Sequence, residues 1–196
     1  MNAHFAGRDV RFWPKAGVPQ NPEMSSIVKE RATFGGRLHF FCGKAGAGKS
    51  TLARKIAEPE QATLISEDVW LSRLYGDEMQ TFDDYKRLSL RLKTVVGPLV
   101  VELLRTGRNV VLDFPANTKM ARDWFRALCE QSGSGHVLHF LDITDATCLS
   151  RIDKRNVERP EGSHHLTPEM FSYISAHFEP PQDDEGLHVR RHDGPA

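Results

Sequence analysis

Leu38-His39-Phe40-Phe41-Cys42-Gly43-Lys44-Ala45-Gly46-Ala47-Gly48-Lys49-Ser50 decides the fold. An apolar run of strand length leads into a glycine-rich turn, and the turn opens a segment of helical spacing that stops before Pro59. Residues 43–50 satisfy Gly-x-x-x-x-Gly-Lys-Ser/Thr at each constrained position. Glycine lets the backbone amides turn inward onto a polyphosphate, Lys49 reaches its β- and γ-phosphates, and the Ser50 hydroxyl suits a magnesium ion. The helix that starts there adds the positive end of its dipole. A chain of this length meets the pattern by accident about once in a hundred sequences, and here it sits between a strand and a helix. Gly43, Lys44, Ala45, Gly46, Ala47, Gly48, Lys49, Ser50 and Thr51 are therefore candidate contacts for a nucleoside triphosphate with magnesium.

Outward from this loop, short apolar runs alternate with longer amphipathic segments. Ala62–Ser66, Asn109–Leu112 and Val137–Leu141 read as strands. A long helical segment, 82–105, carries Leu88, Leu92, Val95, Val96, Leu99 and Leu103 at spacings of three and four, and Gly97-Pro98 is expected to kink or split it. Further helices are expected over Thr118–Gln131, from about Ala146 to Arg155, and from Pro168 to about Phe178 with Thr167 as cap. Strand–helix alternation of this kind requires crossover connections, hence an α/β fold with a parallel sheet covered on both faces. Residues 1–36, with Pro14, Pro19, Pro22 and Gly35-Gly36, read as an irregular N-terminal extension before one domain spanning 37–196.

Composition narrows the function classes. The 196 residues carry 26 Lys+Arg against 26 Asp+Glu, and 39% are hydrophobic. That balance lacks the basic excess with which nucleic-acid binders displace phosphate counterions. No run approaches the roughly 20 apolar residues of a membrane span, and the first residues lack a secretory apolar core. Cys42, Cys129 and Cys148 are odd in number and widely spaced, which suits a reduced, cytoplasmic protein.

Binding a triphosphate leaves the reaction open, so the residues after the other strands matter. Asp113 follows the third apolar run, where a carboxylate near the loop would hold magnesium; a helix or loop cap is the plainer reading. Asp68, after the second strand, faces the phosphates if ligand chemistry collects at the carboxyl ends of the strands. A carboxylate there can take the proton of an acceptor hydroxyl, with Glu67 the local rival and a helix cap the structural alternative. Arg151 and Arg155, at i and i+4, share a helix face that could close over a transferring phosphoryl group, with Arg159 beyond. The following loop, with Pro160, Gly162, His164 and His165, suits a lid over about 145–166, and its histidines with His177 fit no familiar zinc spacing. Trp70, Phe82 and Tyr85 suit an acceptor pocket and core packing equally.

Together the phosphate loop, Ser66-x-Asp68, Val110-Val111-Leu112-Asp113, Arg122 and Arg151-x-x-x-Arg155 resemble the small P-loop kinases that include polynucleotide 5′-kinase, chloramphenicol phosphotransferase and zeta-toxin-like enzymes. The likeness spans about residues 37–180 and extends to a tail segment, Phe178-Glu179-Pro180-Pro181. It implies a three-layer P-loop fold with a five-stranded parallel sheet and ATP with Mg2+ as cofactors. It further implies Asp68 as base, Lys49 on the ATP phosphates, Ser50 and Asp113 at the metal, Arg151 and Arg155 on the transferring phosphoryl, and the tail segment near the adenine. Two departures stand out. Leu71 occupies the position of the arginine that binds nucleic-acid phosphate in polynucleotide 5′-kinases, which favours a small-molecule acceptor. Phe114-Pro115-Ala116-Asn117 replaces a shorter Ala-Thr-Asn, leaving the role of Asn117 open. The alternative function is a nucleotide-dependent switch or regulatory ATPase, which needs a water-positioning residue and often an arginine from another chain.

Overall fold

The computed structural model describes residues 35–158, 160 and 165–194. Most of the expected extension, Arg159, part of the expected lid and His164 lie outside the described residues. Five strands, β1 (Arg37–Cys42), β2 (Thr63–Ser66), β3 (Val110–Pro115), β4 (Gly135–Leu141) and β5 (Val189–His192), form one sheet in the order β2-β3-β1-β4-β5. Every pairing is parallel. The helices are α1 (Lys49–Ala57), α2 (Glu67–Tyr75), α3 (Phe82–Arg105), α4 (Lys119–Ser132), α5 (Asp145–Glu158) and α6 (Pro168–Ser175).

Alternation along β1 assigns the layers. Leu38, Phe40 and Cys42 point into a core completed by Leu71 of α2, by Leu88, Leu92, Val96 and Val100 of α3, and by Phe125 and Leu128 of α4. Phe41 points the other way, into a second core with Ala53 of α1, Cys148 and Ile152 of α5 and Phe171 of α6. The fold is thus a three-layer P-loop architecture in which β1, buried on both faces, carries the phosphate loop at its carboxyl end. Chain order reverses around β1, since β3 and β4 flank it, and ligand crevices form at such a reversal. Among the described residues, no helix is long and apolar enough to cross a membrane.

Helix α3 corrects one expectation. It runs through Gly97-Pro98 without a break for 24 residues. Gly97 is buried against α4, with Leu128 Cδ2 3.5 Å from where a Cβ would stand, so glycine there lets the two helices approach. Pro98 lies on the exposed side, where the Thr94 carbonyl that loses its helical partner can be solvated. The start of α3 is fixed by a capping box: the Asp84 amide donates to Thr81 Oγ1 at 3.1 Å and the Thr81 amide to Asp84 Oδ2 at 3.0 Å.

Strand β5, Val189-Arg190-Arg191-His192, has no apolar alternation and gives no strand signal of its own. A diagonal of histidines ties it to the centre of the sheet. His39 Nδ1 and His139 Nε2 are 3.0 Å apart, His139 Nδ1 and His192 Nε2 are 3.0 Å apart, and the rings of His39 and His139 stack. His39 Nε2 is buried without a partner among the described residues. Donation from each Nδ1 toward β5 leaves that orphan a bare lone pair, which costs less than a buried unpaired N–H.

Burial holds all three histidines below the usual imidazole range, with His139 depressed to about 3. A folded value below the unfolded 6.5 gives stability that is full above about pH 6.5 and is lost as pH falls. His139→Phe should therefore be less stable than the parent at pH 8 but less sensitive to acid. Urea titrations at pH 8 and pH 5 should show the parent's folding constant dropping at least about tenfold more than the variant's.

Candidate functional site

The phosphate loop leaves β1 at buried Cys42. The Gly43 amide donates to Asn117 Oδ1 at 2.9 Å, and the Ala47 amide closes a turn onto the Lys44 carbonyl at 3.1 Å. Gly46 must be glycine for two reasons. Its φ of 76° lies in the left-handed region, and a Cβ there would collide with the Cys148 carbonyl of α5 and stand 3.0 Å from Ile152 Cγ1. Gly48, at φ 103°, is the N-cap of α1, whose first amides have no partners within the helix and point toward the loop. Lys49 is half-buried and curls back over the loop, its Nζ donating to the carbonyls of Gly43 at 2.5 Å and Lys44 at 2.8 Å. Burial lowers its pKa, opposed by Asp113 first and then by Cys42 and Asp68.

Helix α5 clamps the same loop. Asp145, at its start, pairs with Lys44, and one turn and a half later Arg151 Nη1 donates to the Ala47 carbonyl at 2.8 Å. Arg151 thus holds the loop itself. Arg155, one turn further on, has its Nε buried without a hydrogen-bond partner among the described residues, and its charge acts on Asp68. An orphaned guanidinium N–H beside an acidic cleft fits an absent anionic group.

The acidic wall comes from β2 and β3. Their register places Ser66 opposite Asp113, and Ser66 Oγ donates to Asp113 Oδ2 at 3.3 Å. Asp113 lies within β3, at a bulge where the partners of Phe40 and Phe41 jump from Leu112 to Pro115. Such bulges re-aim side chains beside functional sites. Helix α2 starts immediately after β2, with Ser66 as its N-cap residue, so Asp68 is its second residue and not its cap.

Glu67 and Asp68 part company there. Glu67 is wholly buried and accepts from Tyr85 Oη at 2.8 Å and Ser89 Oγ at 2.5 Å, fastening α2 to α3. Half-buried Asp68 instead interacts with Asp113, Lys49 and Arg155. Desolvation first, then Glu67 and Asp113, push its carboxyl up to about 7 against the pull of Lys49 and Arg155. Lys49, Asp68, Asp113 and Arg155 thus share one electrostatic neighbourhood at the carboxyl ends of β1, β2 and β3.

Several other residues near the site sort as follows. Leu71 is core, and Arg87 and Arg91 are exposed, Arg87 pairing with Asp84 at 3.1 Å. Trp70 and Tyr85 pack partly against the core, while exposed Phe82 meets Tyr173 of α6 edge-on at 6.2 Å between centroids. The clasp around Arg122 has no local signal. Its side chain is 1% exposed and donates Nε and Nη2 to Glu185 at 2.6 and 2.7 Å across 63 residues of sequence. The three cysteines are buried and unpaired, with burial raising the thiols of Cys42 to about 11 and Cys129 to about 12.

Comparison with known proteins places this fold. The family described as AAA domain matches residues 38–181. No curated protein matches the sequence. A solved protein of Chloroflexus aurantiacus superposes with a TM-score of 0.65 at 13% identity, covering 82% of this chain and 86% of that one. A gluconokinase from Sinorhizobium meliloti superposes with a TM-score of 0.54 at 19% identity, covering 82% and 83%. Kti12 from Chaetomium thermophilum, solved in complex with ADP-AlF3, superposes with a TM-score of 0.58 at 15% identity, covering 79% and 88%. At these identities the likeness is one of fold.

Proposed function

The chain belongs to the AAA domain family, and from that premise we propose that it is an ATP-dependent kinase that transfers the γ-phosphoryl group to a hydroxyl of a small, uncharged acceptor. The observation that carries this reading is the place of Asp68, the half-buried second residue of the helix that follows β2, in the charge field of Lys49 and Arg155 with desolvation raising its carboxyl. Transfer to an alcohol needs a proton acceptor where Asp68 stands; a hydrolysing switch would use the same carboxylate on water, so the partition of label between acceptor and free phosphate separates the two.

In the proposed reaction the acceptor oxygen attacks the γ-phosphorus, the bond from that phosphorus to the β,γ-bridging oxygen breaks, and ADP leaves. The acceptor proton passes to an Asp68 carboxylate oxygen. Lys49 exchanges the Gly43 and Lys44 carbonyls for phosphate oxygens, and the Arg155 N–H meets the transferring group. Ser50 and Asp113 suit Mg2+, an ion of oxygen ligands. Among the described residues no cluster of three His, Cys, Asp or Glu forms a cage, so the remaining ligands would be water and phosphate oxygens. When bound, the ion neutralises charge between the β- and γ-phosphates. The buried, unpaired thiols support a reducing, cytoplasmic setting.

Exposed Arg87, already engaged by Asp84, supports an uncharged acceptor. Purified full-length chain with γ-labelled Mg·ATP and three acceptor sets tests this: neutral alcohols and sugars, phosphorylated metabolites, and 5′-hydroxyl oligonucleotides. Label should enter a neutral acceptor. Preferential labelling of an anionic or nucleic-acid acceptor would overturn the acceptor class, and release as inorganic phosphate alone would overturn the kinase.

A further inference from the structure

We propose that Asn117 is a positioning residue for the nucleotide loop, and that the tail segment Phe178–Glu185, pinned by Arg122, holds Asn117 in place. The proposal rests on reading residues 43–50 as a nucleotide site but not on phosphoryl transfer. Gly43 is the hinge between the rigid end of β1 and the loop, and its peptide groups are gripped from both sides. Asn117 Oδ1 accepts its amide at 2.9 Å, and Lys49 Nζ sits on its carbonyl at 2.5 Å. Once Lys49 turns to a phosphate, Asn117 is the grip that remains.

Asn117 is itself tied down by a segment more than 60 residues away. The Glu179 amide donates to the Asn117 carbonyl at 2.9 Å, and Glu179 Oε2 in turn accepts the Lys119 amide at 2.6 Å, a reciprocal pair of bonds across the start of α4. Arg122 Nη1 donates to the carbonyls of Glu179 at 2.7 Å and Ala116 at 3.1 Å, while its other nitrogens grip Glu185. Glu185 also accepts the Gln182 amide at 2.8 Å. One buried guanidinium therefore binds the residue before Asn117 and the strand of tail that contacts it. The chain of bonds runs Glu185, Arg122, Glu179, Asn117, Gly43, from a buried ion pair to the first residue of the loop. This gives the acidic, proline-rich tail a task that its composition does not announce.

Asn117→Ala leaves the Gly43 amide without its acceptor and should weaken Mg·ADP binding about tenfold, the usual worth of one well-formed hydrogen bond that fixes geometry. Calorimetric titration with Mg·ADP and with Mg·tripolyphosphate, which engages the loop alone, should show the same factor for both. The urea midpoint should fall modestly, because the buried Gly43 amide loses its acceptor in the folded chain whether or not a ligand is bound. Glu179→Ala removes the Lys119 bond and a charge that acts on Arg122, and should weaken both ligands by about threefold, with Glu179→Gln, which keeps the bond, restoring most of the loss; this pair also serves if Asn117→Ala does not fold. Parent-like affinity of either alanine variant for both ligands would overturn the proposal. Loss of Mg·ADP affinity with unchanged tripolyphosphate affinity would overturn it too, since the effect would then lie at the nucleoside. Failure of the parent to bind either ligand would overturn the nucleotide reading itself, whereas failure to find an acceptor would touch only the kinase reading.

Discussion

Asp68→Ala should lower phosphoryl transfer by about two to four orders of magnitude, the usual contribution of a positioned proton acceptor, while leaving Mg·ATP bound. In the proposed reaction the two effects separate because Asp68 serves the acceptor and not the nucleotide. Its carboxyl is raised by burial and by the neighbouring Glu67 and Asp113, so its removal takes negative charge out of a cleft that must accept phosphates. Nucleotide affinity should therefore hold or improve. Metal-free thermal melts give an independent reading of the same group. Its folded value of about 7 exceeds the unfolded 3.8, so ionisation costs stability progressively from about pH 4 to pH 7. Asp68→Asn should thus gain in Tm over the parent across that window and hold a constant lead above it. A Tm difference that ignores pH would mean that Asp68 is not desolvated in the folded protein.

Lys49→Ala should lower both binding and transfer, about tenfold to a hundredfold in nucleotide affinity and by at least about a further hundredfold in turnover. Two losses combine. The ammonium no longer reaches the β- and γ-phosphates, and the loop loses the donor that bridges the Gly43 and Lys44 carbonyls. Lys49→Arg should rescue little, because a planar fork cannot replace a point charge threaded through a turn this tight. Calorimetry with Mg·ADP and initial rates at saturating ATP separate the two parts. A variant with intact affinity would place Lys49 outside the nucleotide site.

The parts legible in the sequence are those whose physics is local. Residues 38–50 specify strand, loop and helix start because each step depends on neighbours: apolar run, glycines, amphipathic turn. The even–odd split of Leu38, Phe40 and Cys42 from Phe41 likewise decides the layers. What the sequence conceals is long-range. Strand β5 offers two arginines and no alternation, because an edge strand held by β4 and a histidine diagonal needs little burial of its own. Gly97-Pro98 reads as a break, but tertiary contact with α4 on one side and solvent on the other removes the cost. Asp68 has its neighbour Glu67 as a rival until α3 supplies Tyr85 and Ser89 to Glu67. Arg122 carries only a likeness, Asn117 an open role and Glu185 no signal until the fold brings three distant segments together around them.

Partition of the γ-label tests the central claim most directly. Parent chain and Asp68→Ala, each with saturating Mg·ATP and a panel of neutral acceptors, are compared for label in acceptor against label in free phosphate, with Mg·ADP affinity measured alongside. The expected result is acceptor labelling by the parent, its loss in Asp68→Ala, and nucleotide affinity retained in both. Equal labelling by the two proteins, or label released only as inorganic phosphate at one rate in both, would contradict it.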